Sequence, residues 1–407
     1  MPSVVRLLRL TALAAASGVL AGLSSAAFLE LLDSATDTRV ANGWLLWLLP
    51  VAGLGVGLAY HHGGGRAAGG TRLIVDEIHE PTGPGTPRWV PRRLAPLVFG
   101  GTVVTHLFGG SAGREGTAIQ MSGSLTDLLA RTLRLDGRDR RVLLMAAISG
   151  GFGAVFGVPL AGWVFGLEVQ ANRRFRVDAA LPTLVASVVG DQVVRGLGVH
   201  HTFLPPLGPI DLDAGLVGQI LLAGVAFGIT AVAFVQLTHR IQALFATFVS
   251  WPPARPLLGG VIVVLLTLIV GNRDYLGLSL PLIGASTAGG AGIIGGAFAL
   301  KLVFTAVTLG AGLPGGEVTP LFVIGTTLGV SMAHLLGAPV PLLAALGFVA
   351  VFAGAANTPL ACTIMGGELF GGGALVPFAI ACVAAYIFSP HQGIYGARMA
   401  QPTVGAG

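Results

Sequence analysis

The chain has 407 residues, of which 53% are hydrophobic and 10% are charged, whereas soluble domains usually carry about 25% charged residues. This composition, with 63 glycines, excludes an ordinary soluble domain and indicates a polytopic membrane protein with closely packed helices. The net charge is +5, without a basic stripe interleaved with aromatic residues, so we expect no nucleic-acid partner. Cys362 and Cys382 lie in apolar runs without metal-ligand spacing, so we expect no metal, cofactor or disulfide.

Apolar runs follow one another along most of the chain. The first, Leu10–Leu32, comes after Arg6 and Arg9 and is long for a signal peptide, so we interpret it as the first membrane helix. The runs span 10–32, 44–60, 94–108, 142–170, 178–196, 214–238, 257–271, 296–311, 318–336, 341–365 and 374–389. A full membrane span needs about 20 apolar residues, and several runs are shorter or broken by glycine or proline. Such pieces are typical of transporters with inverted repeats and broken helices.

The run 142–170 has basic clusters on both sides. These are Arg131, Arg134, Arg138, Arg140 and Arg141 before it, and Arg173, Arg174 and Arg176 after it. One straight span would place both clusters on opposite membrane faces, against the positive-inside tendency. Because Gly157 and Pro159 interrupt the run, we predict a bent, re-entrant segment.

Four glutamates within the apolar regions form two matched pairs. Glu115 and Glu317 each precede a threonine by two residues and a glycine by eight, and Glu168 and Glu368 each end a Pro-Leu-Ala-x6-Glu segment. The first pair is 202 residues apart and the second 200. Acids at membrane depth are costly and usually functional. The spacing predicts two related halves, residues 1–205 and 206–407, joined within His200–Asp213 as a single membrane domain without a soluble regulatory domain.

Gly113-Arg114-Glu115-Gly116-Thr117 precedes a predicted helix over Ala118–Ala130. The free N–H groups and the dipole of a helix N-terminus make an anion site there. Glu115 can fill that site with its own carboxylate and leave it when protonated, acting as gate and proton carrier. A helix-capping role is the alternative interpretation.

Gly315-Gly316-Glu317-Val318-Thr319-Pro320 precedes the run Leu321–Leu336 in the same way. Proline in the first turn indicates a helix start. Two such helix N-termini from opposite halves would make one buried anion site. A charged Glu317 would repel an anion, so we expect it to be protonated for much of the cycle or to lie on the proton path. For Glu168 and Glu368 we expect a helix-end or interface role.

Two further patterns admit more than one interpretation. Gly109-x-Ser111-x-Gly113 matches the nucleophile motif of serine hydrolases, with His106 or His334 as the base, and gives a remote alternative of intramembrane hydrolysis. Tyr395 follows the last apolar run and could donate a hydrogen bond to an anion or serve as an interfacial anchor.

As a set, these motifs resemble the CLC family of anion transporters and channels, from about residue 70 to 398. Gly-Arg-Glu-Gly resembles the family's gating motif, with Glu115 as the gate, and Tyr395 matches its anion-contacting tyrosine. The resemblance implies an all-α fold of two inverted-topology repeats with broken and re-entrant helices, and a homodimer with one pathway per subunit. It also implies the following anion-binding residues, beside the proton-transferring pair Glu115 and Glu317: Gly113, Arg114, Gly116, Thr117, Gly316, Val318, Thr319, Tyr395 and Thr71.

The chain departs from chloride-handling members of the family. It has Thr117 where they have proline, Glu317 and Thr319 in place of their typical residues, and Gly70-Thr71-Arg72 where their Gly-Ser-Gly-Ile-Pro motif would stand. It also has Val169 at the position of their inner glutamate. These features resemble the fluoride/proton antiporter branch. The resemblance implies fluoride export from a prokaryotic cell, across the plasma membrane, driven by inward proton flow. A chloride/proton antiporter or chloride channel is the alternative.

Overall fold

A computed structural model describes residues 2–79, 89–170, 176–201, 204–389 and 392–397. Nearly all of these residues are helical, and the one small hairpin pairs β1 (Gln392–Gly393) with β2 (Gly396–Ala397). The α-helices are α1 Pro2–Ala41, α2 Leu49–Ala59, α3 Gly70–His79, α4 Leu94–Leu107, α5 Glu115–Thr132, α6 Gly137–Phe156, α7 Pro159–Glu168, α8 Val177–Gly196, α9 Ala214–Phe248, α10 Ala254–Val270, α11 Leu280–Thr287, α12 Ala297–Gly310, α13 Val318–Leu336, α14 Val340–Ala356, α15 Pro359–Phe370 and α16 Leu375–Ile387.

Among the described residues, five helical segments are long and apolar enough to cross a membrane. They are Val4–Ala41, Gly43–His79, Val177–Gly196, Ala214–Phe248 and Val318–Leu336, and shorter apolar helices fill the rest of the fold. The mixture of long and short helices confirms the prediction of a polytopic membrane protein with broken helices.

Two predicted runs are each divided into two helices. The run 142–170 breaks between α6 and α7 at Gly157, whose φ is +72°. The run 341–365 breaks at the equivalent place, where Asn357 has a φ of +59°. A left-handed residue followed by a helix that starts at proline turns the chain sharply. The predicted bend in 142–170 is therefore confirmed, although Arg173 and Arg174, used in that argument, lie outside the described residues.

The helices α4–α8 recur in the same order as α12–α16, and contacts between the two sets are reciprocal. The carboxylate of Glu368 accepts the N–H groups of Leu160 (3.0 Å) and Ala161 (2.7 Å) at the start of α7. The carboxylate of Glu168 accepts those of Leu360 (3.0 Å) and Ala361 (2.8 Å) at the start of α15. Each helix therefore carries, in its last turn, the acid that caps the N-terminus of the other.

Three helices, α3, α5 and α11, lie outside the apolar runs of the sequence. α5 buries polar side chains, among them Gln120, Ser122 and Asp127, and therefore lacks a long apolar run. α3 and α11 have 10 and 8 residues, too few to give a membrane signal. The predicted helix over 118–130 begins three residues earlier, at Glu115.

α13 and α14 cross where two glycines face each other. A Cβ atom added at Gly347 would lie 2.0 Å from the carbonyl oxygen of Gly325, and one added at Gly325 would lie 1.9 Å from that of Gly347. Small residues let membrane helices approach this closely. Because α13 begins at the segment that contains Glu317, this crossing fixes the position of that segment.

We predict that Gly347→Ala destabilises the folded protein, because its methyl group must displace backbone rather than a mobile side chain. Overpacking of this kind costs about 1–3 kcal/mol, which should appear as a lower midpoint of thermal unfolding in detergent. Gly100→Ala in α4 is the matched control, because nothing lies within 4 Å of its added Cβ. Equal midpoints for the two variants would contradict the role of the crossing.

Candidate functional site

The segments that precede α5 and α13 meet inside the protein as a short antiparallel pair. The N–H of Gly113 donates to the oxygen of Gly316 (2.6 Å), and the N–H of Gly316 donates to that of Gly113 (2.8 Å). Only glycine fits here, because a Cβ at Gly316 would lie 2.8 Å from the backbone nitrogen of Gly116. The N-termini of α5 and α13 are therefore held together, as predicted for a site shared by the two halves.

The Glu115 carboxylate occupies the N-terminus of α13. Its Oε2 accepts the N–H of Thr319 at 3.0 Å and the N–H of Arg114 at 3.1 Å, and its Oε1 accepts the hydroxyl of Thr319. The Arg114 guanidinium adds a positive charge, with Nε 3.6 Å from Oε1. Glu115 is 1% exposed. We expected Glu115 to fill the mouth of its own helix; instead, the helix of the other half receives its carboxylate.

Glu317 approaches the opposite helix in turn. It precedes α13 directly, and its Oε2 lies 3.3 Å from where a Cβ of Gly116 would stand, at the N-terminus of α5. Unlike Glu115, it is only partly buried. The acids are thus exchanged between the halves but are not equivalent, because the carboxylate of Glu115 is enclosed by donors whereas Glu317 is less completely buried.

The other predicted anion-binding residues fall into two groups. The first group forms the meeting segments themselves: Gly113, Arg114, Gly116, Gly316, Val318 and Thr319. The second group lies beside them. The Thr117 hydroxyl pairs with that of Thr102 at 2.8 Å, which ties α5 to α4. Thr71, in the first turn of α3, accepts a hydrogen bond from Gln120 at 3.2 Å, so its own hydroxyl proton remains free to donate.

Tyr395 reaches the interior from the hairpin. It is 6% exposed, and its hydroxyl has no hydrogen-bond partner among the described residues. The N–H of Ile394 donates to the oxygen of Ala355 (2.9 Å), which anchors the hairpin to the end of α14. Tyr395 lies close enough to Glu115 and Glu317 for their charges to act on it. This burial does not fit the interfacial-anchor alternative.

Sequence reasoning missed a group of phenylalanines around this interior. Phe322 of α13 stacks on Phe348 of α14 with ring centroids 4.0 Å apart, and Phe152 of α6 stacks on Phe165 of α7 at 4.1 Å. Phe165 meets Tyr395 edge-on at 6.1 Å. Each of these four phenylalanines lies on a different helix, so no spacing within one segment could reveal the group, and a buried phenylalanine is equally typical of ordinary core packing. The rings therefore form an apolar, buried wall next to Tyr395.

The residues of the hydrolase alternative are not arranged for catalysis. The ring nitrogens of His106 lie 2.8 Å from the oxygen of Thr102 and 3.0 Å from that of Ala112. Ser111 bonds instead to the hydroxyl of Thr305 (2.9 Å). His334 is exposed at the end of α13. A nucleophilic serine needs a base within hydrogen-bond reach, and neither histidine supplies one.

Within the described ranges, no three histidine, cysteine, aspartate or glutamate side chains are grouped closely enough to hold a metal ion. What the arrangement offers is a dry cradle of N–H and O–H donors, which is chemistry for binding an anion.

Comparison with known proteins gives concordant results. The family model described as "Voltage gated chloride channel" matches residues 52–390. A "Chloride/fluoride channel protein" of Pseudomonas syringae pv. tomato is 47% identical over 393 residues, which cover 95% of this chain and 85% of that protein. An H(+)/Cl(−) exchange transporter, ClcA of Yersinia pestis, is 27% identical over 327 residues, covering 76% and 68%.

Solved structures agree with these relatives. A crystal structure of a CLC-type fluoride/proton antiporter matches with a TM-score of 0.91 and 34% identity, covering 96% of this chain and 97% of that one. A slow cyanobacterial Cl−/H+ antiporter matches with a TM-score of 0.79 and 19% identity, covering 94% of each, which supports the fold alone. The extent of the family match and the identity to the Pseudomonas relative show that this chain belongs to the voltage-gated chloride channel (CLC) family, a family of transporters and channels rather than of enzymes.

Proposed function

We propose that this protein is a fluoride/proton antiporter that exports fluoride from the cytoplasm, driven by inward proton flow. The observation that carries the proposal is the Glu115 carboxylate held by the N–H and hydroxyl of Thr319 at the N-terminus of α13. These donors bind an anion, and the anion they hold is part of the chain itself.

The group that occupies this cradle couples the movement of fluoride to the movement of protons. A charged Glu115 satisfies the donors and excludes another anion. A proton from the external side removes that charge and weakens the hydrogen bonds, because charge-assisted bonds are about twice as strong as neutral ones. The released N–H and O–H groups can then donate to fluoride. When Glu115 loses its proton to the cytoplasm, its carboxylate returns to the cradle. Competition for one cradle therefore exchanges fluoride for protons.

The donors favour fluoride over chloride. Fluoride is small, strongly hydrated and a strong acceptor, so its water must be replaced by short, strong hydrogen bonds. Thr319 offers two donors from one residue, and the Tyr395 hydroxyl, unpartnered in the described structure, can offer another. A protonated Glu317 adds an O–H donor at the opposite helix. The Pseudomonas relative and the solved antiporter are both named for fluoride, which supports this choice. Chloride, for which ClcA of Yersinia pestis is named, remains the alternative.

We further infer a homodimer in a prokaryotic plasma membrane, with repeats at 1–205 and 206–407. The bacterial relative supports the location, and the reciprocal Glu168 and Glu368 caps support the division. An outward-facing apolar cavity of about 450 Å³ offers a surface for a second copy. It is lined by Leu221, Leu222, Val225, Ile380, Val383, Ala384, Ile387 and Phe388.

We predict that Glu115→Gln abolishes proton coupling. The neutral amide cannot exchange a proton or compete for the cradle as a carboxylate does, so fluoride should move without protons or not at all. Simultaneous fluoride-electrode and pH recordings from proteoliposomes measure both ions.

The matched control for this experiment is Glu30→Gln, which changes an exposed glutamate of α1 and should leave coupled exchange unchanged. If Glu115→Gln protein still takes up protons in proportion to the fluoride released, Glu115 is not the gate.

We predict that Thr319→Val lowers fluoride flux by about tenfold, because a hydrogen bond to a charged group contributes about 1.5–3 kcal/mol. Chloride flux should fall less, since chloride is the weaker acceptor, so the fluoride-to-chloride flux ratio decreases. Initial efflux rates of both anions from the same proteoliposome preparation give this ratio.

Thr326→Val is the control in the same helix, because the Thr326 hydroxyl donates only within α13, to the oxygen of Phe322 (2.6 Å). A similar ratio for wild type and Thr319→Val would show that the hydroxyl does not select fluoride.

A further inference from the structure

The gate segment, residues 108–114, connects α4 to α5 as a non-helical stretch. It must still keep a fixed path, because Glu115 can reach its donors only from a fixed backbone position. One end is held by α4, since the N–H of Gly110 donates to the backbone oxygen of Thr105 (2.7 Å), and the other end is held by the backbone pair at Gly113. The middle of the segment is held by a different part of the chain.

Thr308 of α12 provides that support. It is fully buried, and its hydroxyl accepts the N–H of Ser111 at 3.1 Å while donating its own proton to the oxygen of Phe304 at 2.8 Å. Its backbone oxygen accepts the N–H of Leu313 at 3.1 Å. Ser111 lies in the gate segment and Leu313 in the segment that leads to Glu317. One residue therefore bonds to both segments that lead to the acids of the site.

Thr105 is the equivalent of Thr308 in the first half. Each is a buried threonine near the end of its helix, and each hydroxyl donates to the carbonyl oxygen four residues before it. Each backbone oxygen accepts the N–H five residues after it. Each is followed, four residues later, by a glycine in the left-handed region, with a φ of +92° at Gly109 and +93° at Gly312. The two threonines thus occupy matching places in the repeat.

The bond between Ser111 and the Thr308 hydroxyl cannot be returned by the first half. Ser111 comes six residues after Thr105, and the residue six positions after Thr308 is Pro314. Proline carries no backbone N–H, so Pro314 cannot donate to the hydroxyl of Thr105. The second half therefore anchors the gate segment through a side chain, whereas the matching side chain of the first half has no such donor to accept.

A second hydroxyl of α12 supports the same anchor. Thr305 and Thr308 are three residues apart and share one face of the helix. The hydroxyls of Thr305 and Ser111 are 2.9 Å apart, and both side chains are fully buried. Ser111 is thus bound to α12 through its N–H and through its hydroxyl. An N–H group left without an acceptor in this interior would carry a large desolvation penalty.

From these contacts we propose that Thr308 is a positioning residue for proton-coupled exchange. It keeps the backbone of the gate segment fixed, so that protonation moves only the Glu115 side chain and the cradle does not open to fluoride without a proton. This inference rests on the proposed function, which gives Glu115 the role of gate. The proline at 314 supplies a physical reason for the unequal acids, because only the segment before Glu115 is anchored to the opposite half in this way.

Thr308→Val tests this proposal, because valine keeps the shape of threonine but leaves the Ser111 N–H without an acceptor. Loss of one partner of a buried hydrogen bond shifts the equilibrium between the held and the displaced segment by roughly 5- to 150-fold. We expect uncoupled fluoride efflux from proteoliposomes to rise in proportion to the displaced fraction, so that the proton-to-fluoride ratio falls.

Thr105→Val is the matched control. It removes the equivalent hydroxyl, which donates within α4 to the oxygen of Gly101 (2.9 Å), and leaves the backbone oxygen that binds Gly110 in place. A general loss of helix stability would affect both valine variants, whereas the proposal predicts a wild-type ratio for Thr105→Val. Thr308→Ser keeps the hydroxyl and should preserve coupling. Equal ratios for the two valine variants, or loss of coupling in Thr308→Ser, would overturn the proposal.

Amide hydrogen exchange separates this proposal from the proposed function, because it does not require transport. Peptides that cover residues 108–114 should exchange faster in purified Thr308→Val than in wild type or Thr105→Val. If Thr308→Val does not fold, Thr308→Ala removes the same hydroxyl without added bulk and should change exchange in the same direction. Faster exchange, in a protein whose wild type does not couple fluoride to protons, would retain the anchor and refute the antiporter. Unchanged exchange, with normal coupling in wild type, would refute the anchor alone.

Discussion

The structure depends on one constraint, which is that the N-terminus of α13 lies inside the protein and needs an acceptor. Unsatisfied backbone N–H groups in an apolar interior cost several kcal/mol each, and the aligned helix dipole adds positive charge at the same point. The Glu115 carboxylate meets this need in the described state. Any state in which Glu115 withdraws must supply another acceptor, and this requirement is what makes exchange with an anion obligatory in the proposed mechanism.

The two-fold relation between the halves creates this constraint, but the two pairs of glutamates follow the symmetry to different degrees. Glu168 and Glu368 show the symmetry most clearly, since each caps the N-terminus of the helix whose last turn holds the other. Glu115 and Glu317 also cross between halves, but one is enclosed by donors while the other is partly open. The pair Glu168 and Glu368 therefore stabilises the scaffold, whereas Glu115 and Glu317 support unequal roles in the site.

Much of this could be predicted from the sequence, because acids in an apolar chain are few and their spacing is informative. The broken segment after α6, helix starts within a few residues of Glu115 and Glu317, and the separate character of Glu168 and Glu368 follow from local residues. Reasoning from one segment at a time could not show that the carboxylate of Glu115 serves the helix of the opposite half, since that contact spans 204 residues. It also could not separate the phenylalanines near Tyr395 from ordinary core.

In the proposed mechanism, fluoride and the Glu115 carboxylate compete for one cradle, and a proton releases the carboxylate, so fluoride and protons move in opposite directions at a fixed ratio. The most direct measurement is uphill fluoride movement in proteoliposomes that contain wild-type protein, equal fluoride on both sides and an imposed pH gradient. We expect fluoride to accumulate on the acidic side, and we expect little accumulation when chloride replaces fluoride. An unchanged fluoride distribution would contradict proton coupling, and equal accumulation of chloride would contradict selectivity for fluoride.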